Sequence, residues 1–264
     1  LPSPEGPPRP VPSRVRDALL GGDRNLAADR DHAAMMEARF PGTAAAVRDA
    51  AAFTARAVTW AARQGIARYV VPEPWLPSCA VRSAARAVIP SARVAYLCGA
   101  GDPSAVAYAR DAAARFPGTV VVSGAGGPAA LLASAAARAV TGEGEPACAV
   151  LAMMVHMMPP GGARGLVAGV AAGLAPGSCV IVSAAVPAAG PDGDALIAAA
   201  AGCAPAWRHP PAVIAGWLEA AGLEVVPPGV TDVRGWRAGW PEPRLRARPP
   251  AALMIAGGVA RVPG

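Results

Sequence analysis

His156 is the residue of this chain best suited to moving a proton, because an imidazole titrates close to neutral pH. It closes an apolar run, Ala147 to Val155, and is flanked by Met153, Met154, Met157 and Met158. Thioether side chains at that density either fill a core or give an apolar ligand an adaptable wall. A lone histidine reads equally as a satisfied structural residue or as part of a pocket. A second cluster follows another apolar run: in Pro72-Glu73-Pro74-Trp75 a carboxylate and an indole stand between prolines. Glu73 is the second candidate for proton transfer, and Trp75 either fills a void or stacks on a ligand. The chemistry expected is acid-base work on a small apolar molecule, held between Glu73 and Trp75 on one side and Met153, Met154, His156 and Met157 on the other. No G-x-S-x-G elbow, Walker loop, H-E-x-x-H motif or paired-carboxylate signature is present.

These residues need a scaffold, and the apolar pattern supplies one. Continuous apolar runs at Ala67 to Val71, Arg93 to Cys98, Thr119 to Ser123, Ala147 to Val155 and Ser178 to Ala185 read as strands covered on both faces, as in a parallel sheet. Helical segments are expected between them: Ser78 to Ile89, Pro103 to Phe116, Gly127 to Val140, Gly161 to Leu174 and Ala195 to Gly202. Residues 13 to 64 also read as helical, with Thr43 as an N-cap and Gly65 as the stop. A helix from Pro211 to Ala221, the stretch LEVVPPGVT and a last strand AALMIAGGVA predict an antiparallel hairpin at one sheet edge. His156 then lies at the carboxyl end of the fourth strand, where open α/β sheets place their sites.

Composition narrows the partners. The chain has 264 residues and a formal charge of +6, all of its 24 basic residues being arginine. The arginines stand singly rather than in runs, so no nucleic-acid partner is expected. The longest apolar run is too short to span a bilayer, which needs about 20 residues, so no membrane partner is expected either. Five cysteines without C-x-x-C spacing fit free thiols in a reducing cytoplasm, with no metal site. The proline-rich residues 1–12 are expected to be a disordered tail. Residues 13–264 are expected to form a single domain, helical over 13–65 and an α/β core over 66–264. A small apolar molecule is the expected ligand, with homodimerisation left open.

The run Arg14-Val15-Arg16-Asp17-Ala18-Leu19-Leu20-Gly21-Gly22-Asp23-Arg24-Asn25-Leu26-Ala27-Ala28-Asp29 resembles the R-V-Y-D-Y-L-L-G-G-K-D-N-F-A-A-D motif of an actinobacterial family of S-adenosylmethionine (SAM)-dependent methyltransferases. The likeness continues through Leu76-Pro77, Asp102-Pro103, Val155-His156, Pro176-Gly177-Ser178 and Gly229 to Trp236, covering about residues 11 to 262. It implies a class I methyltransferase fold: an α/β, Rossmann-like, seven-stranded sheet, mostly parallel with an antiparallel last strand, and a helical N-terminal extension. In that family's pattern Asp17, Arg24 and Asn25 would help to cover the substrate pocket, or else pair with one another at the surface.

The departures from the family fall at its cofactor contacts. Where the family's first strand ends L-D-I-G-T-G, this chain has Val70-Val71-Pro72-Glu73-Pro74-Trp75, and Cys98-Gly99 stand in place of the ribose-binding acid. Ser123-Gly124-Ala125-Gly126 replace an acidic segment near the adenine, and Arg16 and Ala18 replace two tyrosines. Prolines lack the N–H groups that such a turn presents. The expectation is therefore a methyltransferase fold with no cofactor, SAM being open but not favoured, repurposed for cyclisation, rearrangement or elimination of a small apolar specialised metabolite. An active methyltransferase with an altered SAM site is the alternative, and a non-catalytic partner protein the second.

Overall fold

The computed structural model describes residues 9–72, 79–99, 103–124, 127–134, 137–138, 140, 142, 144–237 and 252–264. Three helices come first: α1 (Pro12–Leu19), α2 (Ala27–Arg39) and α3 (Thr43–Arg63). The segment expected to be helical throughout is thus broken twice, at Gly21-Gly22 and at Pro41-Gly42. Gly21 and Gly42 take positive φ values of 78° and 97°, a region that only glycine enters without cost. Thr43 is the first helical residue rather than the cap, and its hydroxyl donates to the Phe40 carbonyl at 2.7 Å. Gly65, with φ 88°, ends α3 as expected.

Strands and helices then alternate: β1 (Arg68–Pro72), α4 (Cys79–Arg86), β2 (Arg93–Gly99), α5 (Pro103–Arg115), β3 (Thr119–Gly124), α6 (Pro128–Leu132), β4 (Cys148–Ala152), α7 (Pro160–Ala172), β5 (Cys179–Pro187), α8 (Pro191–Ala200) and α9 (Pro211–Ala220). Two short strands, β6 (Glu224–Val225) and β7 (Thr231–Asp232), precede β8 (Leu253–Arg261). The sheet order is β3-β2-β1-β4-β5-β8-β6, with β7 also on β8. β1 to β5 are parallel, and β8 runs antiparallel to β5, β6 and β7. This is the mostly parallel, methyltransferase-type Rossmann-like sheet. The expected edge hairpin is modified in one respect: β8 is interior, and the two-residue β6 forms the edge.

Alternation along the strands divides the core between two faces. On one, Tyr69, Val71, Tyr96, Cys148 and Val150 pack with Phe53, Ala57 and Trp60 of α3. On the other, Val70, Leu97, Ala149 and Leu151 pack with Leu166 and Val170 of α7 and Trp217 of α9. Trp236 is fully buried on the α3 face and meets Phe53 edge-on, with ring centroids 5.4 Å apart. Close packing reaches the backbone at Gly257 of β8, where a Cβ would stand 2.7 Å from Phe53 Cε1 and 2.8 Å from Val233 Cγ1. Among the described residues no helix is long and apolar enough to cross a membrane.

Candidate functional site

β4 ends three residues before the apolar run does. Ala152 is its last residue, and Met153 turns into the left-handed region at φ 57°, a conformation that costs a non-glycine residue roughly 1–2 kcal/mol. The Met153 N–H donates to the Ser183 carbonyl at 2.8 Å and to the Ser183 hydroxyl at 3.2 Å, which holds the turn against β5. The consequence is a change of face. Strict alternation would send Met153 to the α7 side with Ala149 and Leu151; instead it joins Ala152 on the α3 side, and Met154 takes the α7 side. A 3₁₀ turn over Val155–Met157 follows and presents His156 and Met157.

Met153, His156 and Met157 line a hollow with an empty volume of about 880 Å³, open solvent at its mouth included. Its floor is the carboxyl end of the sheet, with Ala185 and Pro187 of β5 and Leu253 and Ile255 of β8. Its roof is the N-terminal helices, with Val15, Arg16 and Leu19 of α1, His32 and Met36 of α2, and Val47 of α3. Leu196 and Ala200 of α8 and residues 203–206 close one side. The lining is overwhelmingly apolar. A second hollow of about 540 Å³ opens at the carboxyl ends of β1 and β4, lined by Val71, Pro72, Val150, Ala152, Val81 of α4, Thr54 of α3, and again Arg16.

Of the residues singled out in the sequence, the fold brings Met153, His156 and Met157 together. Met154 is only 1% exposed and packs in the opposite core. Asp17, Arg24 and Asn25 line neither hollow. The buried Asp17 carboxylate accepts from the Arg24 backbone N–H at 2.7 Å and from Asn25 Nδ2 at 2.8 Å, so the three are joined in a local turn. Gly22 lets the chain wrap this carboxylate, since a Cβ there would collide with Asp17 Oδ1. Glu73 and Trp75 lie outside the described residues.

Burial sets the electrostatics. His156 Nδ1 is sealed from solvent and has no hydrogen-bond partner among the described residues. Desolvation, with a smaller contribution from His209, pulls the His156 pKa down to about 4. Its imidazole is therefore neutral at pH 7 and able to accept a proton. Desolvation also lowers His32, and it pushes the Cys203 thiol up to about 12. Arg16 falls to about 10 through desolvation and keeps its charge at neutral pH.

α1 is fixed in place by Asp29 of α2, which is fully buried. Its carboxylate accepts from Arg14 Nε at 2.6 Å and from the backbone N–H groups of Val11 and Leu26 at 2.8 Å each. Those bonds bring its pKa below the usual carboxylate value in spite of its burial. Arg16 was missed as a site residue, although a signal existed: it replaces a tyrosine in the motif on a helix face otherwise made of Pro12, Val15 and Leu19. Among the described residues no three His, Cys, Asp or Glu side chains converge as metal ligands.

The S-adenosyl methyltransferase family matches residues 7–263. The chain belongs to that family. Two solved structures share its fold over nearly their whole length. A candidate methyltransferase from Thermobifida fusca is 26% identical, with a TM-score of 0.85, covering 97% of this chain and 96% of that one. A DUF574 family protein from Streptomyces avermitilis is 23% identical, with a TM-score of 0.84, covering 97% of this chain and 98% of that one. No curated protein matches.

Family membership overturns the expectation that the chain uses no cofactor: the family is one of S-adenosyl methyltransferases. The second hollow lies at the carboxyl ends of β1 and β4, where an open α/β sheet places its ligand. The expectation of no cofactor rests on side chains exchanged at the ends of β1, β2 and β3. A crevice is made by the ends of strands, however, and survives exchange of the side chains that decorate it.

Proposed function

We propose that this protein is an active SAM-dependent methyltransferase whose acceptor is a small apolar molecule bound in the larger hollow. Val71 and Pro72 of β1, Val81 of α4, and Val150 and Ala152 of β4 would hold the cofactor in the smaller one. When bound, SAM supplies an electrophilic methyl group on a sulfonium. The chain's own part is to position an acceptor and to take the proton that it sheds.

The observation that carries this reading is the state of His156. Its imidazole stands on the wall of an apolar hollow and is neutral at pH 7, so a ring nitrogen that reaches the hollow would accept the proton of an acceptor hydroxyl or amine as its oxygen or nitrogen gains the methyl group. Met153 and Met157 shape the wall beside it, and α1 and α2 stand over it. His156 thus ends as imidazolium and returns its proton to solvent when the product leaves. Rearrangement without SAM has no comparable support.

The test combines calorimetry with S-adenosylhomocysteine and transfer of a labelled methyl group from SAM to a panel of apolar phenols and amines. Micromolar binding of S-adenosylhomocysteine, with transfer lost in His156→Ala, is expected. Absence of binding at millimolar ligand would overturn the reading.

A further inference from the structure

We propose that His209 is a positioning residue, which fixes the turn that carries His156 by a hydrogen bond to the Met158 carbonyl. The 3₁₀ turn Val155–Met157 is three residues long, and runs that short have little stability of their own. The bonds that close it are Met157 N–H to the Met154 carbonyl at 2.9 Å and Met158 N–H to the Val155 carbonyl at 3.2 Å. The carbonyls of His156 and Met158 are satisfied from elsewhere, both by one tripeptide, Trp207-Arg208-His209. The Trp207 N–H donates to the His156 carbonyl at 2.7 Å, and His209 Nε2 lies 2.9 Å from the Met158 carbonyl. A carbonyl oxygen only accepts, so this nitrogen carries the hydrogen.

The tripeptide is itself pinned. Between the two bonds, Arg208 donates from Nε to the Pro187 carbonyl at 3.0 Å and pairs through Nη2 with Asp194 at 2.7 Å. Pro187 ends β5 and Asp194 stands in the first turn of α8. Both elements line the larger hollow, as do residues 203–206 just before the tripeptide. On its other side His209 is buried, and its ring meets Trp217 of α9 edge-on with centroids 4.8 Å apart. Three consecutive residues thus tie the His156 turn to β5, α8 and α9. Burial, with a smaller contribution from His209, holds the His156 pKa at about 4. A turn released from this strap would admit water to the ring and bring that value back toward 6.5.

The catalytic consequence rests on the methyltransferase reading, whereas the geometric one does not, so each has its own measurement. The chain has three histidines, His32, His156 and His209, and proton NMR on the full chain follows each imidazole through a pH titration. Two variants separate the hydrogen bond from the ring. His209→Gln offers an amide N–H in place of Nε2 and loses the ring; His209→Phe keeps a ring beside Trp217 and loses the donor. Both remove the electrostatic contribution of His209, and both leave Arg16, His32 and Cys203, the other ionisable groups lining the hollow, in place. The difference between them therefore reports the hydrogen bond. In the wild type and in His209→Gln, His156 is expected to titrate below about pH 5, and in His209→Phe between about pH 5 and 6.5. For methyl transfer to the best acceptor of the phenol and amine panel, His209→Phe is expected to lower kcat about tenfold or more with KM little changed, while His209→Gln keeps most of it.

The proposal is overturned if His156 titrates in His209→Phe as it does in the wild type, if His209→Gln moves it as far as His209→Phe does, or if an active wild type and His209→Phe share the same kcat. Arg208→Met cuts the same strap at its half-buried ion pair, and it decides the matter if His209→Phe does not fold: an upward move of the His156 midpoint supports the proposal and an unchanged one overturns it. A wild type that transfers no methyl group defeats the methyltransferase reading, and the titrations then decide by themselves whether His209 places His156.

Discussion

Met153 and Ser183 are joined across β4 and β5 by an N–H to carbonyl bond of 2.8 Å, formed where Met153 stands at φ 57°. Because that turn puts Met153 on the same face as Ala152, it also decides which side chains face the larger hollow. A β-branched side chain tolerates the left-handed region worst. Met153→Val is expected to lower stability by about 1 kcal/mol more than Met153→Leu, read as the difference between their urea-unfolding free energies.

Asp29 gives a pH signature. Its folded pKa lies below the ordinary carboxylate value, so the stability that it contributes is present above about pH 4 and lost as pH falls through the folded value. Asp29→Asn is expected to cost about 3 kcal/mol at pH 7, because it leaves Arg14 without its buried partner. The gap between wild type and variant should narrow at pH 3. Urea titrations at the two pH values check both statements.

For His156 the sign runs the same way. Its pKa is depressed from 6.5 to about 4 by burial, so between those values the unfolded chain binds more protons than the folded one. Stability therefore rises with pH across that window, and His156→Gln is expected to flatten the rise in thermal denaturation. The same substitution is expected to slow methyl transfer by about a hundredfold or more. Transfer by the wild type should fall as pH drops toward 4.

Two glycines predict opposite outcomes. Gly257→Ala would place a Cβ 2.7 Å from Phe53 Cε1 and 2.8 Å from Val233 Cγ1, and overpacking of this kind costs about 1–3 kcal/mol. Gly165 lies inside α7, exposed, with nothing within 4 Å of a built Cβ. Gly165→Ala should therefore stabilise by about 0.5–1 kcal/mol. Melting temperatures moving in opposite directions would check the pair.

The strands were legible because each buried strand is a continuous apolar run, and all five parallel strands fall within or beside the stretches expected. The end of β4 was not legible. Nothing in the run Leu151-Ala152-Met153-Met154 betrays a turn whose cause is a bond to Ser183, which lies thirty residues away. Met154 was grouped with Met153 and Met157 for that reason. The breaks between α1, α2 and α3 could have been seen in the Gly21-Gly22 and Pro41-Gly42 pairs, but a helical reading of the apolar spacing passed over them. Asp17, Arg24 and Asn25 were recognised as a motif, whereas their bonds to one another become visible only in three dimensions. The cofactor expectation failed on a different ground, because side-chain types at a turn do not reveal the hollow that strand ends create behind it.

The interior position of β8 bears on how the chain acquires its sheet. β5 pairs with β4 on one side and with Leu253–Arg261 on the other, yet residues 188 to 252 are synthesised between the two. During that interval the Cys179–Pro187 strand has an open, apolar edge, the kind of surface that recruits other chains. β6 and β7 cannot cover it, since both pair with β8 rather than with β5. A nascent chain thus holds an unfinished sheet until Leu253–Arg261 has been made, and the open edge of β5 is the vulnerable surface throughout that interval.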